Sequence, residues 1–173
     1  VWPREGGGWH LEIPAGPKGG YRLAQLDDYS SRSRRLLPWS PPVTLKLKAR
    51  CSASSLPGTW GFGLWNDPFA LSLGVGGAAR RFPALPNAAW FFYASTSNYL
   101  SFRDDKPAQG FLTSAFRSLA LPAPLLALGA PLGILLMWAP TARIMRRLLR
   151  MFVGEDASSL DTDVTQWHTY SLS

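Results

Sequence analysis

The sequence has very few of the residues that form disulfides or bind transition metals. Cys51 is the single cysteine and only two histidines occur in 173 residues. An intrachain disulfide is therefore excluded, and a transition-metal site is not expected. Cys51 ends an alternating strand pattern, so we expect it to pack as a small apolar side chain. A calcium ion held by Asp side chains and backbone oxygens stays open as a cofactor, because it needs neither cysteine nor histidine.

Acidic residues are also scarce, and this limits the kinds of catalysis that the sequence could support. Asp67, Asp104 and Asp105 are the only acids between residues 51 and 116, and the next acid is Glu155. Adjacent strand residues point to opposite faces, so Asp104 and Asp105 cannot act as a pair and are expected in a solvated turn. No serine-nucleophile or phosphate-loop motif is present. No catalytic residue is predicted.

Charge of one sign predominates, because 18 basic residues face 11 acidic ones and the formal net charge is +7. The last arginine cluster directly follows an apolar segment, a pattern that favours an anionic membrane surface over nucleic acid. No nucleic-acid-binding motif is recognisable, so no such partner is predicted. Three clusters carry the charge, at Arg32, Arg34 and Arg35, at Arg80 and Arg81, and at Arg143, Arg146, Arg147 and Arg150.

What the chain does have is aromatic, glycine and proline residues arranged around short apolar runs. Aromatics make up 13% of the chain, and 16 glycines and 15 prolines separate the runs. This pattern predicts one mainly β domain over residues 1–173. The strands are expected at 9–13, 21–26, 43–51, 59–65, 88–95, 99–102, 111–116 and 167–172.

The pattern from residue 59 to 65 is the most informative. Side chains alternate between the faces of a strand, so Trp60, Phe62 and Leu64 share one face. Gly61 and Gly63 would leave the other face nearly bare. Such a face admits the close approach of a ligand or of another backbone.

The segment near 119–153 differs from the rest of the chain. No charged residue occurs from Ser118 to Ala142, a length sufficient for a bilayer span, but four prolines interrupt it. Residues 142–152 then show apolar and arginine positions at helical spacing, ending before Gly154. We expect a helical insertion that packs on the sheet or lies at a membrane surface, and the spanning helix is the alternative.

Three segments, Val43–Cys51, Gly58–Phe69 and Asp163–Leu172, resemble the concanavalin A-like lectin/glucanase superfamily, and most nearly its laminarinase-type glycoside hydrolase branch. The resemblance implies an antiparallel β-sandwich, or jelly roll, with the ligand on the concave face. Hydrolases of that branch carry Glu-x-Asp-x-x-Glu, and this chain does not. The catalytic roles are therefore not carried over, and whether the protein is an enzyme stays open. A strand pattern runs up to Ser173, which leaves open a sandwich that is truncated at this end.

We expect a carbohydrate ligand at Trp65, Asn66, Asp67, Trp90 and Tyr93. Each residue also has a structural alternative. Asn-Asp-Pro forms good turns because Asx side chains bond their own backbone, and the aromatics could pack in the core. Alternation places Trp60 and Trp65 on opposite faces, so only one of them is expected at a ligand. The alternative function is a module that associates with an anionic membrane surface through residues 119–152.

Overall fold

The computed structural model describes residues 1–17, 22–30, 32–68, 84–96, 101–119, 121, 144 and 146–173. Within these ranges the chain forms eight β-strands, one turn of 3-10 helix at Arg34–Leu36 and helical residues at 144 and 146–149, so the predicted mainly β fold class is confirmed. The strands are β1 (Trp2–Pro3), β2 (Trp9–His10), β3 (Leu45–Ala49), β4 (Thr59–Trp65), β5 (Ala88–Ala94), β6 (Gly110–Ser118), β7 (Val153–Ser159) and β8 (His168–Leu172).

All pairings between the described strands are antiparallel. The largest sheet has four strands in the order β4, β5, β6, β7, so each strand lies beside the next one in the chain. β3 pairs with β8, and β1 pairs with β2. The pairing of β3 with β8 joins the alternating strand in the first third of the chain to the strand at residues 168–172.

The β3–β8 pair packs against one face of the four-stranded sheet. The Tyr170 ring lies with its centroid 4.9 Å from that of Phe62, 5.0 Å from Phe91 and 5.8 Å from Phe111. Alternation explains the contact, because inward positions of β3 and β8 meet inward positions of β4, β5 and β6. The main core cluster consists of buried Tyr93, Phe111, Val164 and Tyr170, with Leu47, Ala49, Cys51, Trp60, Phe62, Phe91 and Leu160 packed on it.

Five of the predicted strands are confirmed: those at 43–51, 59–65, 88–95, 111–116 and 167–172. The other three predicted strands, at 9–13, 21–26 and 99–102, are wrong in whole or in part. Only Trp9–His10 of the first is paired, residues 22–26 and 101–102 are not strand, and positions 21, 99 and 100 lie outside the described residues. The strand predicted at 21–26 is followed by a turn at Asp27. Oδ1 of Asp27 accepts the backbone N–H groups of Tyr29 and Ser30 at 3.1 and 2.7 Å.

The segment near 119–153 is an excursion between two paired strands. β6 ends at Ser118 and β7 begins at Val153, and the N–H of Leu119 donates to the carbonyl of Phe152 at 3.0 Å. Ile144 and residues 146–149 are helical, and residues 122–143 lie outside the described ranges. Gly154 does not stop the helix as predicted, because it pairs with Arg117 inside β7. In the part of the chain that the structure describes, no helix is long and apolar enough to cross a membrane.

Candidate functional site

The four-stranded sheet has a second face, opposite the β3–β8 pair, that is also rich in aromatic side chains. Its positions follow from strand register: Trp90 of β5 stands between Gly63 of β4 and Ser114 of β6, and Phe116 of β6 stands opposite Glu155 of β7. We call this surface the aromatic face. It comprises Trp65, Trp90, Phe92, Leu112, Ser114, Phe116 and Glu155.

Trp90 is the centre of the aromatic face. Its ring stacks on Phe92 with centroids 5.1 Å apart and planes 19° apart, and it meets Phe116 edge-on at 5.7 Å. Trp65 lies 5.9 Å away with its plane tilted by 45°. All four rings are half-buried, so they form one continuous aromatic surface that keeps contact with solvent.

Gly61 and Gly63 let β5 aromatics lie across β4. Gly61 is opposite Phe92 and Gly63 is opposite Trp90. A Cβ atom on Gly61 would come within 3.0 Å of Phe92, and one on Gly63 would collide with the carbonyl of Ala89 and with Trp90. The close approach that the sequence predicted is therefore made by the neighbouring strand, while both glycines remain exposed.

The indole N–H groups of both tryptophans are bound within the protein. Nε1 of Trp90 donates to the Ser114 hydroxyl, and Nε1 of Trp65 donates to the Tyr29 hydroxyl at 2.5 Å. Burial raises the pKa of Tyr29 to about 12, so this phenol stays neutral across the physiological range. The two indoles are thus fixed in orientation, and their carbon surfaces are what they can offer to a ligand.

Asn66 and Asp67 shape the chain where β4 ends. The Asn66 side chain donates to the Leu85 carbonyl at 2.8 Å and accepts the N–H of Asn87 at 2.9 Å. Arg34 donates to the carbonyls of Asn66 and Asp67 at 2.9 and 2.7 Å. Asp67 is buried and has a φ of 46°, a conformation that Asn and Asp tolerate in turns. This geometry matches the turn interpretation of both residues.

Tyr93 is placed away from the two tryptophans with which it was grouped. It lies on the core face of β5, is 7% exposed, and stacks on Trp60 with centroids 5.7 Å apart. The sheet itself separates Tyr93 from Trp90. The structure therefore brings Trp65 and Trp90 together and places Tyr93 in the core, as alternation along β5 requires.

A small depression, with a cavity volume of about 20 Å³, opens on the aromatic face at Trp90, Phe92 and Phe116. Residues 101–108 form its wall through Ser101, Pro107 and Ala108, and Glu155, a residue that is 9% exposed, also lines it. A cavity of this size holds about one water molecule, so a larger ligand would lie across its mouth, on the aromatic rings.

Hydrogen bonds and ion pairs hold the 101–108 wall in place. Phe102 donates its N–H to Glu155 Oε2 at 2.7 Å, and Arg146 donates to the Ser101 carbonyl at 3.1 Å. Lys106 pairs with Asp156 at 2.6 Å, which lowers the pKa of that carboxyl. Within the wall, hydrogen bonds from Arg103 lower the pKa of Asp105 to about 2.

Besides Phe92, which alternates with Trp90 along the predicted strand at 88–95, sequence reasoning missed three polar or aromatic members of the site: Ser114, Phe116 and Glu155. The first two follow from alternation along the predicted strand at 111–116. Glu155 does not, because the sequence Val-Gly-Glu-Asp-Ala-Ser-Ser lacks the apolar alternation that marks a strand. Its position becomes evident only when β7 pairs with β6.

The site as described offers aromatic surface, one buried carboxylate and fixed hydroxyl groups. Over the described residues, no group of three or more His, Cys, Asp or Glu side chains could hold a metal ion. Comparisons with protein-family models, curated proteins and solved structures find no match for this chain. The superfamily resemblance therefore stays a prediction.

Proposed function

We propose that this protein is a carbohydrate-binding domain that binds its ligand on the aromatic face without hydrolysing it. The scaffold we propose is a concanavalin A-like sandwich, of which the β3–β8 pair and the four-stranded sheet are the two layers. One observation carries the proposal: Trp65 and Trp90 lie 5.9 Å apart, half-buried, on the face opposite the core.

The chemistry of the face supports a sugar ligand. Pyranose rings present C–H groups that pack on aromatic surfaces and hydroxyls that need hydrogen-bond partners. Trp90, Trp65 and Phe116 supply the first kind of contact, and the carboxylate of Glu155 supplies an acceptor in the adjoining depression. Rings that are already locked by hydrogen bonds lose little conformational freedom when a ligand binds.

The distribution of acids favours binding over hydrolysis. A retaining glycosidase uses two carboxyl groups about 5–5.5 Å apart, and an inverting one uses two at about 6.5–9.5 Å. On the described part of the aromatic face Glu155 is the single carboxylate, because its neighbour Asp156 points to the other side of β7.

A glycan array tests the proposal with the parent protein and the Trp90→Ala and Trp65→Ala variants. We expect each variant to lose about tenfold or more in affinity, because removal of an aromatic contact costs on the order of 1.4 kcal/mol. Trp167→Ala is the matched control, since this 43% exposed tryptophan lies against Arg4 and Arg50, away from the aromatic face. Thermal melts establish that each variant is folded. Equal binding by parent and Trp90→Ala protein would contradict the proposal.

A second candidate function, association with an anionic membrane surface, is favoured by the described residues of the segment 119–152. Ile144 and Met151 are 62% and 64% exposed, and Leu119, Leu148 and Phe152 are exposed as well. Arg147 and Arg150 are exposed beside them. Apolar side chains flanked by arginines are the composition of interfacial helices.

Liposome flotation separates this candidate from the first. Leu119 and Phe152 are hydrogen-bonded neighbours, so residues 120–151 can be replaced by an Asn-Gly turn that closes the β6–β7 hairpin. We expect the intact chain to float with anionic vesicles and the shortened chain to remain in solution. Flotation that is equal for both chains, or that is absent with anionic vesicles, would exclude the excursion as a lipid-binding element.

A further inference from the structure

We infer that Glu155 is the hydrogen-bonding anchor of the aromatic face and that it restricts the ligand to uncharged, hydroxyl-rich saccharides. The inference rests on the proposed carbohydrate-binding function and deepens it by naming the ligand class. It concerns a residue outside the set that the sequence pointed to.

The first step is the position of Glu155. In the register of the sheet it stands opposite Phe116, and Phe116 stands opposite Ala88, two residues before Trp90 on the same strand face. Glu155 and Trp90 both line the depression. A ligand that packs on Trp90 and lies across the mouth of the depression therefore lies beside Glu155.

The second step is the unused bonding capacity of Glu155. Its side chain belongs to a residue only 9% exposed, and within the described ranges its one hydrogen bond comes from the Phe102 N–H at 2.7 Å. An ionised carboxylate can accept about four hydrogen bonds. A carboxylate with one hydrogen-bond donor therefore has acceptor positions left for a ligand.

Neighbouring cations do not occupy these positions. Arg103 forms two hydrogen bonds with Asp105, at 2.8 and 2.5 Å, and Lys106 pairs with Asp156 at 2.6 Å. Glu155 has no ion pair among the described residues. The remaining acceptor positions of Glu155 are therefore not taken by ion pairs with the cations of the wall.

The third step is the ligand that fits such a group. Sugar hydroxyls donate to carboxylates in charge-assisted hydrogen bonds, which are roughly twice as strong as neutral ones. A uronic acid or a sulfated sugar would bring a negative charge next to the Glu155 carboxylate and would be repelled. The formal net charge of +7 by itself favours acidic glycans, so the two effects predict opposite preferences.

The experiment uses the full chain on an array that pairs neutral oligosaccharides with their C6-carboxylated and sulfated counterparts. The variant is Glu155→Gln, which keeps the size of the side chain and an acceptor for Phe102. The matched control is Asp156→Asn, on the same strand but on its other face. We expect the parent and the control to prefer neutral glycans by about tenfold or more. We expect Glu155→Gln to bind neutral glycans about tenfold more weakly and to lose the discrimination, as for the loss of one charge-assisted hydrogen bond.

The outcomes separate this inference from the proposed function. If Trp90→Ala abolishes binding while Glu155→Gln binds and discriminates like the parent, the inference is overturned and the proposed function stands. A parent protein that prefers acidic glycans also overturns the inference. If the parent binds no glycan, both fail together. Should thermal melts show that Glu155→Gln is unfolded, the ratio of neutral to acidic binding by the parent alone decides the matter.

Discussion

The two faces of the four-stranded sheet are built from the same strands and from the same kinds of side chain, but they differ in what covers them. On β5, Phe91 and Tyr93 point to the core face, and Trp90 and Phe92 point to the aromatic face. The core face is covered by the β3–β8 pair through Tyr170, whereas no described strand packs on the aromatic face. Alternation assigns a side chain to a face, and the covering layer then decides whether that face serves stability or recognition.

The faces also differ in polar content. The core cluster is apolar or aromatic throughout, and burial raises the pKa of Tyr170. The aromatic face adds Ser114 and Glu155, together with a wall held by ion pairs. A surface that has only to pack needs no carboxylate. Glu155 is therefore the feature that most clearly distinguishes the aromatic face from the core face.

The largest expected effect comes from truncating a ring on each face of the same strand. Phe111→Ala removes a buried ring whose centroid lies 5.2 Å from Trp60 and 5.8 Å from Tyr170, and we expect a loss of about 3–5 kcal/mol. Phe116→Ala removes a half-buried ring from the aromatic face and is expected to cost roughly 1–2 kcal/mol. Urea unfolding measures both. Equal losses would remove the distinction between a covered and an open face.

A smaller effect is expected from adding a methyl group between β4 and β5. Gly63→Ala forces a Cβ atom into the Ala89 carbonyl and Trp90, and such overpacking costs about 1–3 kcal/mol. Gly154→Ala in β7 is the control, because its Cβ would meet only the Arg117 carbonyl, at 3.5 Å. We expect the control to stay within about 0.5 kcal/mol of the parent. If both variants unfold at the same urea concentration, the aromatic rings do not lie across β4 as described.

The smallest effect is a pH dependence confined to the wall of the aromatic face. The pKa of Asp105 is lowered to about 2 by its hydrogen bonds from Arg103, against a usual value of 3.8. A lowered pKa contributes stability above pH 3.8, and that contribution is lost as the pH falls toward 2. We expect the melting temperature of the parent to fall slightly more than that of Asp105→Asn over this interval. Parallel curves for the two proteins would show that the pair contributes nothing, as many exposed ion pairs do.

Much of the fold could be predicted from local pattern, because alternation is a property of the sequence itself. The strands around Leu47, Phe62, Phe91 and Tyr170 were all identified in this way. β7 could not be, since its strand conformation depends on hydrogen bonds to β6 rather than on apolar alternation. In the same way, residues 22–26 carry a strand-like pattern, but the Asp27 turn follows them and no pairing forms.

The candidate site was predictable only in part. The adjacency of Trp65 and Trp90 depends on the register of β4 against β5, which a single sequence does not specify. Tyr93 could have been set apart from Trp90 by counting residues along β5, because the two positions differ by an odd number. The sequence allows Asn66 and Asp67 either to bind a ligand or to form a turn. The hydrogen bonds from Arg34 and to Leu85 match the turn.

The hydrogen bond from Leu119 to Phe152 has a consequence for how this chain can vary between relatives. The two residues are neighbours where β6 and β7 meet. The pairing of these strands therefore depends little on the length of the segment that connects them. Each doubling of a flexible connection adds only about 0.6 kcal/mol of closure entropy. Length changes should therefore accumulate at this junction during evolution, and the sheet would keep its register through all of them.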